Sequence, residues 1–173
     1  MSLAAIVLAA GQGTRMRSDL PKVLHPLGSA PLIAHALTTA RALEPERTVV
    51  VVGHGGAAVE AVARGLDEEV AVVTQAEQKG TGHAVLQALP ALDGFAGDAV
   101  VLYGDTPLIR PETLRRMLAA RTGGADVVVL GFEAADPAGY GRLAVDGDGS
   151  LRAIVEAPDA TPEERASLTT SVR

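Results

Sequence analysis

The sequence predicts an α/β fold: a mostly parallel sheet with helices on both faces. Three observations predict it. Short β-branched runs alternate with longer stretches of helical periodicity. Several of these runs are apolar throughout, the pattern of strands covered on both sides. No internal repeat, low-complexity tract or linker interrupts the rhythm, so one domain is expected. Leu3 to Ala9 reads as the first buried strand. Pro31 to Leu43 reads as a helix, with Pro31 suited to its first turn. Thr48 to Val52 is nearly pure Val and reads as the second strand. Ala57 to Leu66 is helical, and Val70 to Thr74 is a strand. Thr81 is placed to cap a helix running to Leu89. Ala99 to Tyr103 is a strand, Pro111 to Arg121 a helix, and Ala125 to Phe132 a further strand. Right-handed crossovers follow from this order. The tail changes character: Gly141 to Val145 and Leu151 to Val155 flank Asp146-Gly147-Asp148-Gly149, a hairpin pattern. Thr161 to Leu168 reads as a short helix.

Composition bounds the function. The chain has 173 residues, 47% hydrophobic and 21% charged, which is globular usage. Aromatics are only 2%, so the core is built from Ala, Val, Leu and Ile, and aromatic stacking is not the main means of holding a base or sugar. There is no Cys, which excludes disulfides, thiolate nucleophiles and Cys-based metal centres. The net charge of −6 argues against general nucleic-acid binding, but not against a small anion held by a few local donors. Only Lys22 and Lys79 among the 15 cationic residues are Lys, and both lie in Gly- or Pro-punctuated segments. No apolar run reaches transmembrane length and no targeting segment stands out, so a cytoplasmic protein is expected. His25, His35, His54 and His83 show no metal-like spacing and are assigned no role.

The first strand ends in Leu8-Ala9-Ala10-Gly11-Gln12-Gly13-Thr14-Arg15-Met16. Small residues allow close approach of the backbone to a ligand, and successive N–H groups in such a turn form an anion-binding concavity. A dinucleotide fingerprint needs a third Gly or Ala where Met16 stands and an acid near the end of the second strand, and neither is present. A P-loop needs a Gly-Lys-Ser/Thr ending, also absent. What remains is a Gly loop followed by Arg15 and, after Leu20-Pro21, by Lys22. An Arg and a Lys converging on one loop neutralise a triphosphate and the charge that develops in phosphoryl transfer.

These residues, with Pro21-Lys22, resemble the signature of the sugar-1-phosphate nucleotidyltransferases. Gln75-Ala76-Glu77-Gln78-x-Gly80-Thr81-Gly82-His83-Ala84, Tyr103-Gly104-Asp105-x-Pro107-Leu108 and Gly139-Tyr140-Gly141-Arg142 then occur in the order found in the N-acetylglucosamine-1-phosphate uridyltransferases. The resemblance covers roughly residues 4 to 166. It implies a Rossmann-like three-layer α/β/α nucleotidyltransferase domain. It implies nucleotide binding by Leu8, Ala9, Ala10, Gly11, Gly13, Lys22, Tyr103 and Gly104, with uracil held at Gln75, Gly80 and Thr81. A carboxamide has both a donor and an acceptor, which suits the edge of a pyrimidine ring. Asp105, at the carboxyl end of a strand, is implied as the ligand of Mg²⁺, a cation that takes hard carboxylate oxygens together with phosphates and water. Gly141 and Glu156 are implied on the sugar side, and packing is the better reading of Tyr140.

The implied reaction is uridylyl transfer from UTP to N-acetylglucosamine 1-phosphate, giving UDP-N-acetylglucosamine, a cell-wall precursor, and pyrophosphate. The attacking phosphate is already an anion, so no general base is needed, and positioning and charge compensation carry the catalysis. The catalytic residues implied are Arg15 on the departing pyrophosphate, Lys22 on the phosphates and Asp105 on the metal. The family's domain runs on past residue 173 and adds a β-helix acetyltransferase domain, so the domain is expected to be incomplete at its C-terminus. An Asn that carries the second metal ligand has no counterpart, and the Asn-Ser/Thr-Gly motif expected near Thr170 and Ser171 is not recognisable. Two other readings stay open: a related enzyme transferring CMP or GMP, and a nucleotide-binding module without turnover. A monomer or weak homo-oligomer is expected, with no nucleic-acid or membrane partner.

Overall fold

Apolar runs without polar alternation need cover on both faces, and a parallel sheet supplies it. Residues 2–11, 13, 16–53, 55–137, 139–165 and 169–171 are described by a computed structural model. The chain divides into two compact units, 1–114 and 115–173. In the first, β1 (Leu3–Ala9) is buried along its whole length. A 3₁₀ turn at Lys22–Leu24 follows, then a small antiparallel pair, β2 (Pro26–Leu27) and β3 (Ala30–Pro31). Next come α1 (Leu32–Arg41), β4 (Arg47–Val52), α2 (Ala57–Leu66), β5 (Ala71–Thr74), α3 (Thr81–Ala88) and β6 (Asp98–Tyr103). The four long strands form one parallel sheet in the order β5-β4-β1-β6.

Register explains the layering. Ile6 pairs with Val49 and Leu8 with Val51. These four side chains form a buried cluster with Ala84 and Ala88 of α3. Alternation along the strands turns Ala5, Val7 and Ala9 to the opposite face. There α1 and α2 touch each other and pack against β1, β4 and β6. Each fully buried Val, Leu or Ile contributes about 1.5–3 kcal/mol of transfer free energy, and Ile6, Val7, Val49, Val50, Val51, Ile33 and Leu37 are all of this kind.

The boundary between the units falls inside α4 (Pro111–Thr122). The second unit holds β7 (Gly131–Glu133), β8 (Arg142–Val145), β9 (Leu151–Val155), α5 (Pro162–Arg165) and β10 (Thr169–Ser171). Its strands form an antiparallel sheet in the order β7-β10-β8-β9. The hairpin expected from Asp146-Gly147-Asp148-Gly149 joins β8 to β9, with Asp146 N donating to Ser150 O at 2.9 Å. Hydrogen bonds from the Ser150 hydroxyl and amide hold the fully exposed Asp148 carboxyl below its ordinary range. Arg142 is buried and donates to the carbonyls of Pro137 at 2.8 Å and Tyr140 at 2.5 Å. Tyr140 packs edge-on against Phe132 at 5.1 Å between ring centroids.

Three expectations need correction. The run Ala125 to Phe132 is not a strand along its length: only Gly131–Glu133 pairs, with β10, and Val127 is 75% exposed. β-branched side chains favour extended backbone, but a strand exists only where a second backbone meets it. Thr81 does not cap α3. Gly80 is the N-cap, no side chain bonds the free N–H groups, and the helix ends at Ala88 before a 3₁₀ turn. Pro31 precedes α1 and pairs in β3 instead of opening the helix.

Candidate functional site

Chain order and sheet order together locate the site. From β1 the chain winds outward to β4 and β5, then α3 carries it back across the opposite face to β6, on the other side of β1. The winding direction reverses between β1 and β6, and open α/β sheets bind ligands in the crevice beyond the strand ends at such a point. A cleft of about 300 Å³ lies there, lined by Leu8, Ala10, Gly11, Lys22, Val23, Gln75, Gln78, Gly80, Thr81, Ala84, Tyr103 and Asp105. All of these residues belong to the first unit.

At one end of the cleft a Lys meets a carboxylate. The 3₁₀ turn buries Val23 at 3% exposure, and Lys22 donates through Nζ to Asp105 Oδ2 at 2.5 Å. The two side chains are 35% and 23% exposed, so the pair faces solvent-filled space and is worth about 1 kcal/mol or less. Backbone shape permits the approach. Gly13 has φ +61°, and a Cβ there would stand 2.7 Å from Lys22 Cβ. Gly104 donates to Leu8 O at 2.9 Å, and a Cβ there would stand 3.1 Å from that same carbonyl. Gly13 and Gly104 thus act by leaving room, and neither lines the cleft. Ala9 lines a neighbouring hollow of about 150 Å³ beside the same loop, with Ala10, Gly11 and Gln78 shared between the two.

At the other end stand Gln75, Gly80 and Thr81. Gln75 follows β5, donates through its backbone to Val52 O at 2.8 Å, and is 4% exposed. Its carboxamide nitrogen lies 3.1 Å from Gly80 O and 3.0 Å from His83 Nδ1. Gly80 has φ +92° and Thr81 begins α3. Tyr103 ends β6 opposite Leu8 of β1.

Three residues that line the cleft, and a fourth that touches its wall, were given no role from sequence. Val23 and Ala84 supply apolar wall. Gln78 Nε2 donates to Ala10 O at 2.7 Å, tying the turn after β5 to the Gly loop. His83 contacts Gln75. Gln78 and His83 stand inside the motif from Gln75 to Ala84, and that membership was the available signal. Arg15 lies outside the described residues, as do Gln12, Thr14 and His54. Gly141 and Glu156 belong to the second unit: Gly141 is buried beside β8, and Glu156 is exposed just after β9.

The description of one protein family, the MobA-like NTP transferase domain, matches residues 5–163. The chain belongs to that family. Its members generally work with a divalent metal. Among relatives, the bifunctional protein GlmU of Dinoroseobacter shibae is 66% identical over 166 residues, covering 96% of this chain and 37% of that protein. The chain therefore spans just over a third of the length of that relative. A UDP-glucose pyrophosphorylase solved with UDP-glucose shares the fold at TM-score 0.78 and 23% identity, over 99% of this chain and 74% of that one. A manganese complex of Rv0371c from Mycobacterium tuberculosis aligns at TM-score 0.58 and 25% identity, over 71% and 61% of the two chains.

Among the described residues no group of three or more His, Cys, Asp or Glu is arranged to hold a metal. The Asp105 carboxylate at the edge of the cleft still fits a family metal of the Mg²⁺ type. Such ions are commonly bound through one or two carboxylates, substrate phosphates and water. No helix among the described residues is long and apolar enough to cross a membrane.

Proposed function

We propose that this domain transfers uridylyl groups from UTP to N-acetylglucosamine 1-phosphate, releasing pyrophosphate, in the cytoplasm. One observation carries the reading: Lys22 and Asp105, 83 positions apart, meet at 2.5 Å in the cleft that also holds Gln75 and Thr81. High identity to the bifunctional GlmU protein supports the choice of sugar phosphate and base. An oxygen of the sugar phosphate forms the new bond to the α-phosphorus of UTP, and the bond from that phosphorus to the bridging oxygen breaks. Lys22 exchanges Asp105 for phosphate oxygens as the nucleotide enters, which costs little because the pair is partly open to solvent. Arg15 compensates the charge on the leaving pyrophosphate. Asp105 would hold Mg²⁺, which supplies positive charge at the phosphate oxygens. The manganese-bound relative supports a divalent ion in this fold. The Gly11 segment brings backbone close to the phosphates, and Gln75, Gly80 and Thr81 meet the base.

The test measures pyrophosphate release with N-acetylglucosamine 1-phosphate and Mg²⁺, offering UTP, CTP and GTP in parallel. Release with UTP well above the other two is expected. A preference for CTP or GTP assigns the cleft to a different transferase.

A further inference from the structure

The base end of the cleft contains a carboxamide with no donor to spare. Gln75 has two amide protons. The Gly80 carbonyl, at 3.1 Å, can only accept, so it takes one and favours one of the two amide orientations. His83 Nδ1 lies 3.0 Å from the same nitrogen and accepts the other in the tautomer that carries the imidazole proton on Nε2, the ring nitrogen that Gln87 Nε2 approaches at 3.3 Å. His83 is itself held on α3, where Gln87, one turn on, donates to its backbone carbonyl at 3.2 Å. The Gln75 backbone is fixed by its bond to Val52 O at 2.8 Å. Of the donor and acceptor expected from sequence, only the acceptor remains for a ligand.

We propose that His83 is a positioning residue for base selection. By accepting on Nδ1 it helps the Gly80 carbonyl hold the Gln75 carboxamide in one of its two orientations, so that only the oxygen meets ring position 3 of a pyrimidine. At that position uracil carries an N–H donor and cytosine a bare acceptor nitrogen. A locked acceptor pairs with the first and opposes the second. A carboxamide free to turn over would satisfy either. This rests on the proposal that the cleft takes UTP, and adds the device that keeps CTP out.

Binding of UTP and of CTP, each with Mg²⁺, is measured by titration calorimetry on the wild type, His83→Leu and His83→Asn. The wild type is expected to prefer UTP. His83→Leu narrows that preference by roughly tenfold, the worth of one hydrogen bond, mainly through tighter CTP binding. His83→Asn, whose side-chain oxygen can stand near Nδ1, keeps the preference. If His83→Leu does not fold, His83→Ala carries the same expectation. Equal weakening of both nucleotides at an unchanged ratio overturns the role of His83, as does loss of preference in His83→Asn. A wild type that binds neither nucleotide, or prefers CTP, overturns the uridylyl reading and this inference with it; the wild-type arm separates the two failures.

Discussion

The two ends of the cleft are built on opposite plans. At the end proposed for the phosphates, Lys22 and Asp105 are 35% and 23% exposed and hold each other by one contact. At the end proposed for the base, Gln75 is 4% exposed, its backbone continues a sheet ladder and its amide nitrogen stands within hydrogen-bond distance of both Gly80 O and His83 Nδ1. The difference teaches where rigidity is useful. Recognition of a neutral ring edge depends on donors and acceptors held in one orientation before binding. Compensation of moving charge needs groups that change partners between the empty, substrate and transition states. On the proposed reading, the first unit would supply both by hanging one set of groups on a buried ladder and the other on a short turn.

The contrast can be broken most sharply at Lys22. Lys22→Ala is expected to lower kcat about 100-fold, the scale of losing one preorganised charge at a reacting phosphate, with a much smaller change in UTP affinity. Steady-state kinetics decide it: an unchanged kcat with raised KM would move Lys22 from chemistry to binding. Gln75→Leu should do the reverse. It removes one base contact and leaves the Gly80 carbonyl and His83 without their donor, so UTP affinity should fall about tenfold. The kcat at saturation should change little. Calorimetry with single-turnover rates separates the outcomes, and a collapse of kcat would deny the division between the ends.

The smallest effect lies outside both ends, at the hairpin turn. Asp148 has a lowered pKa because the Ser150 hydroxyl and amide bond its charged form. Its contribution to the turn is therefore present above the ordinary carboxylate range and is lost as pH falls through the lowered value. Exchange of the Ser150 amide should speed up in acid beyond its intrinsic trend. In Asp148→Asn that extra step should vanish, while UTP binding stays as in the wild type.

Much of the first unit was legible in sequence because its strands are unbroken apolar runs. β1 and the Val-rich β4 have no polar face, so burial on both sides followed from composition alone. The hairpin was legible for another reason: Gly and Asp at its turn demand a tight reversal. Ala125 to Phe132 misled because propensity names a conformation and not a partner, and only its last residues found one. Thr81 misled because Gly80, at φ +92°, had already taken the cap position. The candidate site was legible as a set of motifs and illegible as a network. No local pattern says that Lys22 reaches Asp105, or that the amide of Gln75 is shared between a carbonyl and an imidazole. Those pairings arise only when the winding brings β1, β5 and β6 to one edge.

That reversal of winding has a consequence for how such a domain can diversify. The turns beyond β1, β5 and β6 meet at one edge of the parallel sheet. On the proposed reading, a handful of changes in the turn from Gln75 to Thr81 would retune which nucleoside is admitted, while Lys22 and Asp105, carried by other segments, would stay as they are. Separate evolution of selectivity and reactivity is thus open to this scaffold, and a designer could graft a new base preference without rebuilding the core.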